Sequence, residues 1–183
     1  LDIVNKQVET SPTYNGYRKQ GDIYVDISNI YSKRKMIDQE IKYLQEAQQI
    51  YEKAKEISPT LAVEDDLRLV YYNTGLTYRK EGKTKLALEY MEKVIEISNK
   101  LVKEAPSHTH MEHLSSAYTQ IAIIYGDMRM KDEAKEEYAK ALEIREKIYE
   151  EAPVTKYAIK YAAAINNFGD ACPKTNNKND KSG

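Results

Sequence analysis

Three histidines near the middle of the chain have the residue type and the close spacing that metal binding requires. His108, His110 and His113 form the pattern H-x-H-x-x-H, and imidazole nitrogens are common zinc ligands. On a helix His110 and His113 share a face and His108 points elsewhere. No cysteine and no clear carboxylate completes a ligand set, although Glu112 is adjacent. We therefore expect a solvated helix start here and no metal site.

Two other groups have reactive side chains. Glu64, Asp65 and Asp66 form a run of carboxylates, which we interpret as the acidic first turn of a helix that meets the positive end of the helix dipole. Cys172 has no histidine partner nearby in the sequence, so we expect a small core residue and not a nucleophile. The sequence contains no phosphate-binding loop, no G-x-S-x-G and no zinc-protease motif. We predict no catalytic residue, no cofactor, no metal and no enzymatic activity.

A repeat of 47 residues organises the chain that carries these groups. Prolines, tyrosines and aliphatic residues keep this spacing: Pro12, Pro59, Pro106 and Pro153; Tyr24, Tyr71 and Tyr118; Tyr31, Tyr78 and Tyr125; Ile50, Ile97 and Ile144. Agreement at this many positions is not expected by chance. The chain is therefore an array of one structural unit.

Within each period, apolar and small residues recur at steps of three and four, which predicts helices, and no strand-like alternation is present. Each repeated proline ends a helix, and a Ser or Thr after it caps the next helix in three of four cases. The predicted helices cover residues 14–33, 37–57, 61–81, 84–104, 108–128, 131–151 and 155–171, and residues 1–10 are the end of a preceding helix.

The repeated residues resemble the tetratricopeptide repeat family. The second repeat supplies the family's marks most fully, with Tyr71, Thr74, Gly75, Tyr78, Gly82, Ala87, Met91 and Val94. The third supplies Tyr118, Ile121, Ala122, Tyr125, Ala134, Tyr138 and Ala141, with Arg129 at the turn glycine. In the first repeat Glu40 replaces a small residue and Lys35 replaces the glycine. The period of 47 residues exceeds the family's usual 34, as in its longer variants.

This resemblance implies an all-α, right-handed solenoid of stacked antiparallel helical hairpins over residues 1–172. Its repeats lie at about 14–59, 60–106 and 107–153, with a partial fourth at 154–172 and the end of a preceding helix at 1–13. Residues 173–183 are expected to be a disordered tail, because Lys174 to Gly183 includes no apolar residue. The last helix is apolar around much of its circumference, so we interpret the chain as a segment of a longer array. The alternative is a homodimer through this uncapped helix.

The resemblance also implies a concave groove lined by the first helix of each hairpin. The residues that it assigns to partner binding are Val25, Asn29, Leu69, Tyr72, Asn73, Leu76, Arg79, Thr119, Gln120, Ile123 and Asn166, with Asp22, Ser32, Ser116 and Asp170 beside them. Tyr72, Leu76 and Ile123 are apolar outside the helix seam and favour an apolar partner group. The asparagines and Gln120 can hydrogen-bond an extended peptide backbone. The alternative is that the long helices close the groove and these residues pack on one another.

Some members of the family hold a carboxylate with a set of lysine, asparagine and arginine side chains. Asn29 and Asn73 match its asparagines, but Val25, Ser116 and Gln120 occupy positions where cations are required. We do not carry that clamp over to this sequence.

Composition restricts the partner. The formal net charge is −1, so the basic surplus that binding to nucleic acid or an anionic membrane needs is missing. No apolar run is long enough to span a bilayer. A single cysteine fits a reducing compartment, and we expect a cytoplasmic protein.

These observations predict a protein–protein interaction module that binds a peptide or protein segment in its groove. The alternative is a peptide-sensing regulatory domain that controls an attached effector domain.

Overall fold

The computed structural model describes Lys6, Val8 and residues 12–172. Residues 12–172 fold into seven helices with no strand: α1 (Tyr14–Lys33), α2 (Ile37–Ile57), α3 (Leu61–Lys80), α4 (Thr84–Glu104), α5 (His108–Asp127), α6 (Lys131–Glu151) and α7 (Thr155–Ala171). Each helix packs mainly on its neighbours in sequence, and the first helices α3 and α5 also contact each other. This is the predicted all-α solenoid, and the predicted helix ends are off by one residue only at α3 and α5.

The capping prediction is confirmed at the start of the first helices. The side chains of Thr13, Thr60 and Ser107 accept hydrogen bonds from backbone N–H groups three residues ahead, which satisfies donors that a helix start leaves free. At the equivalent position before α7, Val154 makes no such bond. Three of the four first helices are therefore capped by the residue after the repeated proline.

The turns within the three hairpins share one conformation. Lys35, Gly82 and Arg129 have φ angles of 56°, 75° and 64°, in the left-handed region. The following N–H groups, those of Met36, Lys83 and Met130, donate to carbonyls five residues back. The hairpin therefore imposes the same turn whether or not glycine is present, and the two non-glycine residues adopt a backbone that costs them energy.

Small residues let the paired helices approach closely, as predicted. A Cβ added to Gly75 would lie 2.8 Å from Cε of Met91 and 3.3 Å from the carbonyl oxygen of Ala87. In the first repeat Glu40 occupies the position of Ala87, yet it is only 6% exposed. It accepts a hydrogen bond of 2.7 Å from Oγ1 of Thr77, so this departure from the family pattern is accommodated by a polar contact.

Two clusters of buried residues form the centre of the array. One lies between α1, α2 and α3 and includes Leu44, Tyr51 and Leu67, and the other spans α3, α4 and α5 and includes Met91 and Ile124. No helix in the described part of the chain is long and apolar enough to cross a membrane. Most of the predicted preceding helix, apart from Lys6 and Val8, and the predicted tail of residues 173–183 lie outside the described residues.

Candidate functional site

The first helices bring several of the predicted groove residues together. Tyr72 of α3 and Thr119 and Gln120 of α5 line a pocket of about 190 Å³, together with residues of α6 and α7 that include Arg145, Lys160 and Asn167. Burial raises the pKa of the Tyr72 hydroxyl, and the side chain of Gln120 partly opposes that effect. The pocket therefore receives side chains from three successive repeats.

Arg145 reaches this pocket from α6, a second helix. Its Nε donates to Oγ of Ser115 at 2.8 Å, and its Nη2 donates to Oγ of Ser116 at 3.0 Å. Both serine hydroxyls donate in turn to backbone carbonyls, which leaves their lone pairs directed at the guanidinium. The serines therefore hold Arg145 in a fixed orientation at the pocket.

The charge of Arg145 is incompletely balanced. Burial lowers the pKa of the guanidinium, and the Glu112 carboxylate, 3.7 Å from Nη1, only partly opposes this effect. Among the described residues no acceptor lies within hydrogen-bonding distance of Nη1, and none donates to the buried Oε1 of Gln120. Both atoms are shielded from solvent, so a bound group reaches them only when the surrounding side chains shift.

Glu112 is the centre of a cationic cluster. Besides Arg145, it forms ion pairs with Lys156, at 3.4 Å, and with Lys160 of α7. Burial raises the pKa of Glu112, but the hydrogen bonds and charges of the two lysines outweigh that effect and lower it overall. Three cations surround one carboxylate, so the pocket keeps a positive surplus.

Arg18, Asp65 and Glu112 are at equivalent positions, 47 residues apart, in α1, α3 and α5. Each of these side chains faces the first helix of the following repeat. Arg18 pairs with Asp66 at 2.6 Å, and Glu112 with Lys160, across consecutive first helices. At the step between them, Asp65 faces His113, and burial lowers the pKa of His113 although the Asp65 carboxylate opposes that effect. The pair of Glu112 and Lys160 lies beside Arg145, whose Nη1 is 3.7 Å from Glu112.

The other predicted residues spread along the same row of helices. Asn29, Leu69 and Asn166 are exposed, Asn73 and Leu76 are half-buried, and Arg79 pairs with Asp127 at 2.7 Å. Leu76 packs against the second core cluster. Asp22 accepts a hydrogen bond of 2.6 Å from the Tyr51 hydroxyl, and half-buried Ser32 lies further along α1.

Val25 is in a different environment from the one we predicted. It is 8% exposed and belongs to the core cluster that includes Leu44 and Val63. The groove positions were assigned by the family pattern, but in the first repeat this position is covered by neighbouring helices. Val25 is therefore a core residue and we leave it out of the binding surface.

A second and larger pocket lies between the ends of α5 and α7 and the start of α6. It has a volume of about 670 Å³, and Ile123, Tyr138 and Asp170 are among its lining residues. Asn167 lines both pockets, so they are neighbours on one face of the solenoid.

The reactive groups of the sequence have structural surroundings. His108 pairs with Glu151 at 3.0 Å, and Nδ1 of His110 lies 2.6 Å from the carbonyl oxygen of Ala105. No group of three metal-ligating side chains is found in the part of the chain that the structure describes. Glu64 lies in the first turn of α3, as predicted, and it is also buried: it is 4% exposed and pairs with Lys55 and Lys100.

Arg145, Lys160 and the role of Glu112 were not predicted from the sequence. The repeat alone offers one indication for Arg145, because the equivalent positions hold Tyr51 and Ser98, which are both buried. An arginine at a buried position requires partners, and looking for these would have led to Glu112.

Two family models match consecutive parts of the sequence. The family model described as an uncharacterized protein conserved in bacteria (DUF2225) matches residues 1–114, and the tetratricopeptide repeat model matches residues 115–148. No curated protein matches the sequence.

Two solved structures superpose well. The apo form of RapI has a TM-score of 0.63 and 15% identity, over 93% of this chain and 44% of that one. BtubC (BKLC) from P. vanneervenii has a TM-score of 0.52 and 20% identity, over 82% of this chain and 58% of that one. The chain thus spans less than two thirds of either protein, and the likeness at these identities shows the fold alone.

Proposed function

The chain belongs to the family described as an uncharacterized protein conserved in bacteria (DUF2225) and carries tetratricopeptide-like repeats, and we propose that it is a protein-interaction module. It binds a peptide or protein segment in the groove formed by α3, α5 and α7. The single observation that supports this most is the pocket at Tyr72, Gln120 and Arg145, where an oriented guanidinium has a nitrogen without an acceptor among the described residues.

The chemistry of the pocket favours an acidic group on the partner. Arg145 is held by Ser115 and Ser116, so a bound carboxylate meets a positive charge whose orientation is already fixed. Lys160 adds a second positive charge at the same pocket. A charge-assisted hydrogen bond in a partly desolvated pocket contributes about 1.5–3 kcal/mol.

The remaining surfaces of the pocket suit the partner's backbone and side chains. The amide of Gln120 can donate to and accept from an extended main chain. The ring of Tyr72, together with Ala163 and Ala164 of α7, provides an apolar surface of the kind that ligand pockets use. Exposed Leu69 and Asn166 continue the same row of helices and extend the contact on both sides.

The alternative function, a peptide sensor that controls an attached effector domain, uses the same pocket. Because the pocket takes residues from α3, α5, α6 and α7, an occupant would fix the relative orientation of three repeats. Spin labels on exposed Lys19 of α1 and Lys147 of α6 test this function by double electron–electron resonance. A change in their distance distribution when a peptide binds supports a sensor, and an unchanged distribution supports a static binding module.

The test of the binding function begins with a selection. A phage library of 12-residue peptides, displayed with both free and blocked carboxyl ends, is selected on the immobilised domain, and enriched peptides are titrated by fluorescence anisotropy. We expect peptides with an Asp, a Glu or a free carboxylate. Replacing Arg145 with Ser, the residue at the equivalent position 98, should weaken their binding by about 10- to 100-fold.

The control for this loss is Lys103→Ser, which removes one positive charge from an exposed position on α4, outside the pocket. It should leave the affinity within about twofold. Circular dichroism shows whether each variant keeps its helicity. If the selected peptides bind Arg145→Ser and Tyr72→Ala as tightly as the original chain, the groove pocket is not the binding site.

A further inference from the structure

The larger pocket has an apolar interior. Its lining includes Ile123 of α5, Ala134 and Tyr138 of α6 and Ala171 of α7, and its volume is about 670 Å³. Pockets that bind small molecules or bulky side chains have volumes of about 300–1,000 Å³, so this space is large enough for an aromatic ring system.

The repeat explains why this space exists. One period earlier, Ile124 occupies the position of Ala171 and Tyr125 the position of Cys172. Ile124 is fully buried, and Tyr125 packs against the same core cluster, beside Ala87 and Met91. Gly126 similarly replaces Arg79, and a Cβ added to Gly126 would meet no atom within 4 Å. Gly126, Ala171 and Cys172, between the third and fourth repeats, thus leave open a volume. Larger residues fill the equivalent volume between the second and third repeats, which is the preceding junction.

Carboxylates dominate the rim of the pocket. Among the described residues that line the pocket, Asp132 at the start of α6 and Asp170 near the end of α7 are carboxylates and Lys131 is the single cation, while Asp127 is engaged by Arg79. Burial raises the pKa of the Tyr138 hydroxyl; Arg79 opposes this, and the carboxylates of Asp127 and Asp170 add to it. The floor is therefore apolar, and the rim carries a negative surplus that attracts a cation.

We propose that this pocket binds a bulky apolar side chain, aromatic or long aliphatic, of a segment that carries a basic group beside it. Asn167 lines both pockets, so one partner segment can place its acidic group at Arg145 and its apolar side chain here. The inference rests on the proposed function in one respect, because it assigns both groups to the segment that lies in the groove. The pocket's own ligand preference follows from its lining alone.

The test uses small molecules that do not need the rest of the groove. Tryptamine, an indole with an ammonium group, is titrated against the domain labelled with ¹³C at its Ile and Ala methyl groups, and indole-3-propionate serves as the anionic counterpart with the same ring. We expect saturable shifts of the Ile123 and Ala171 methyl signals with tryptamine. Indole-3-propionate should bind at least about fivefold more weakly, because it meets the carboxylates of the rim.

Two sets of variants complete the experiment. Ala171→Ile and Cys172→Tyr, tested singly and together, restore the residues of the preceding junction, and each should lower the affinity for tryptamine at least about tenfold. Asp132→Asn with Asp170→Asn should remove the preference for tryptamine over indole-3-propionate without filling the space. Arg145→Ser should leave tryptamine binding unchanged, which separates this inference from the proposed function. Absence of saturable shifts, equal binding to the filled variants, or equal affinity for the two indoles would overturn the inference.

Discussion

Two glycines should respond in opposite ways to the same substitution. Gly82, in the turn between α3 and α4, has a φ of 75°, whereas Gly126 lies in the last turn of α5 with no positive φ. A Cβ added at either position would meet no atom within 4 Å, so steric clashes do not contribute to the comparison. Only the backbone conformation distinguishes Gly82→Ala from Gly126→Ala.

The expected magnitudes follow from the two backbones. An alanine in the left-handed region costs the folded state about 1–2 kcal/mol, and the lower conformational freedom of the unfolded chain offsets about 0.4–1 kcal/mol of this. Gly82→Ala should therefore lower the free energy of unfolding by about 0.5–1 kcal/mol. At Gly126 the helical backbone suits alanine, and the free energy of unfolding should rise by about 0.5–1 kcal/mol. Lys35→Gly, in the equivalent turn of the first hairpin, should stabilise by about 0.5–1 kcal/mol because it relieves a left-handed lysine at φ 56°.

Urea unfolding followed by circular dichroism at 222 nm measures these changes as shifts of the midpoint at constant slope. Gly82→Ala and Gly126→Ala should move the midpoint in opposite directions. If both alanine variants move it the same way, the assignment of turn strain from the φ angles is wrong. A destabilised Lys35→Gly variant would contradict the common turn conformation of the three hairpins.

Three further predictions concern stability. Val154→Thr should add the cap that α7 lacks and raise the free energy of unfolding by about 0.5–1 kcal/mol, whereas a lowered urea midpoint would contradict the capping argument. Gly75→Val should destabilise by about 1–3 kcal/mol, because its Cβ would meet Met91; a thermal unfolding midpoint equal to that of the parent would argue against the close approach. The pKa of His113 is lowered, chiefly by burial, so its contribution to stability is present at neutral pH and is lost as the pH falls below about 6.5. His113→Gln should make the free energy of unfolding less dependent on pH below about 6.5. An unchanged slope of that free energy against pH would refute the assignment to His113.

Local rules made the fold predictable from the sequence. The proline and the left-handed turn recur every 47 residues and the cap is present in three of four cases, and each depends on residues close together in the chain. The small residues at Gly75 and Ala87 were also predictable, because a tight helix crossing has few sequence solutions.

The site was only partly predictable, because it depends on contacts between distant residues. Tyr72, Thr119 and Gln120, which the family pattern assigns to the groove, line one pocket, yet Arg145 was missed because its long side chain extends to that pocket from a second helix. Glu40 lies far from Thr77 in the chain, so the contact that accommodates it could not be read from local sequence. The larger pocket arises from missing volume at positions 126, 171 and 172 together, which no single residue reveals.

The contact between Arg145 and an acidic group of the bound segment is the central claim, and a double-mutant cycle measures it directly. A peptide from the selection and its Glu→Gln or Asp→Asn counterpart are titrated calorimetrically into the original chain and into Arg145→Ser. We predict a coupling free energy of about 1.5–3 kcal/mol between the two changes. A coupling below about 0.3 kcal/mol would mean that the acidic group and Arg145 do not meet.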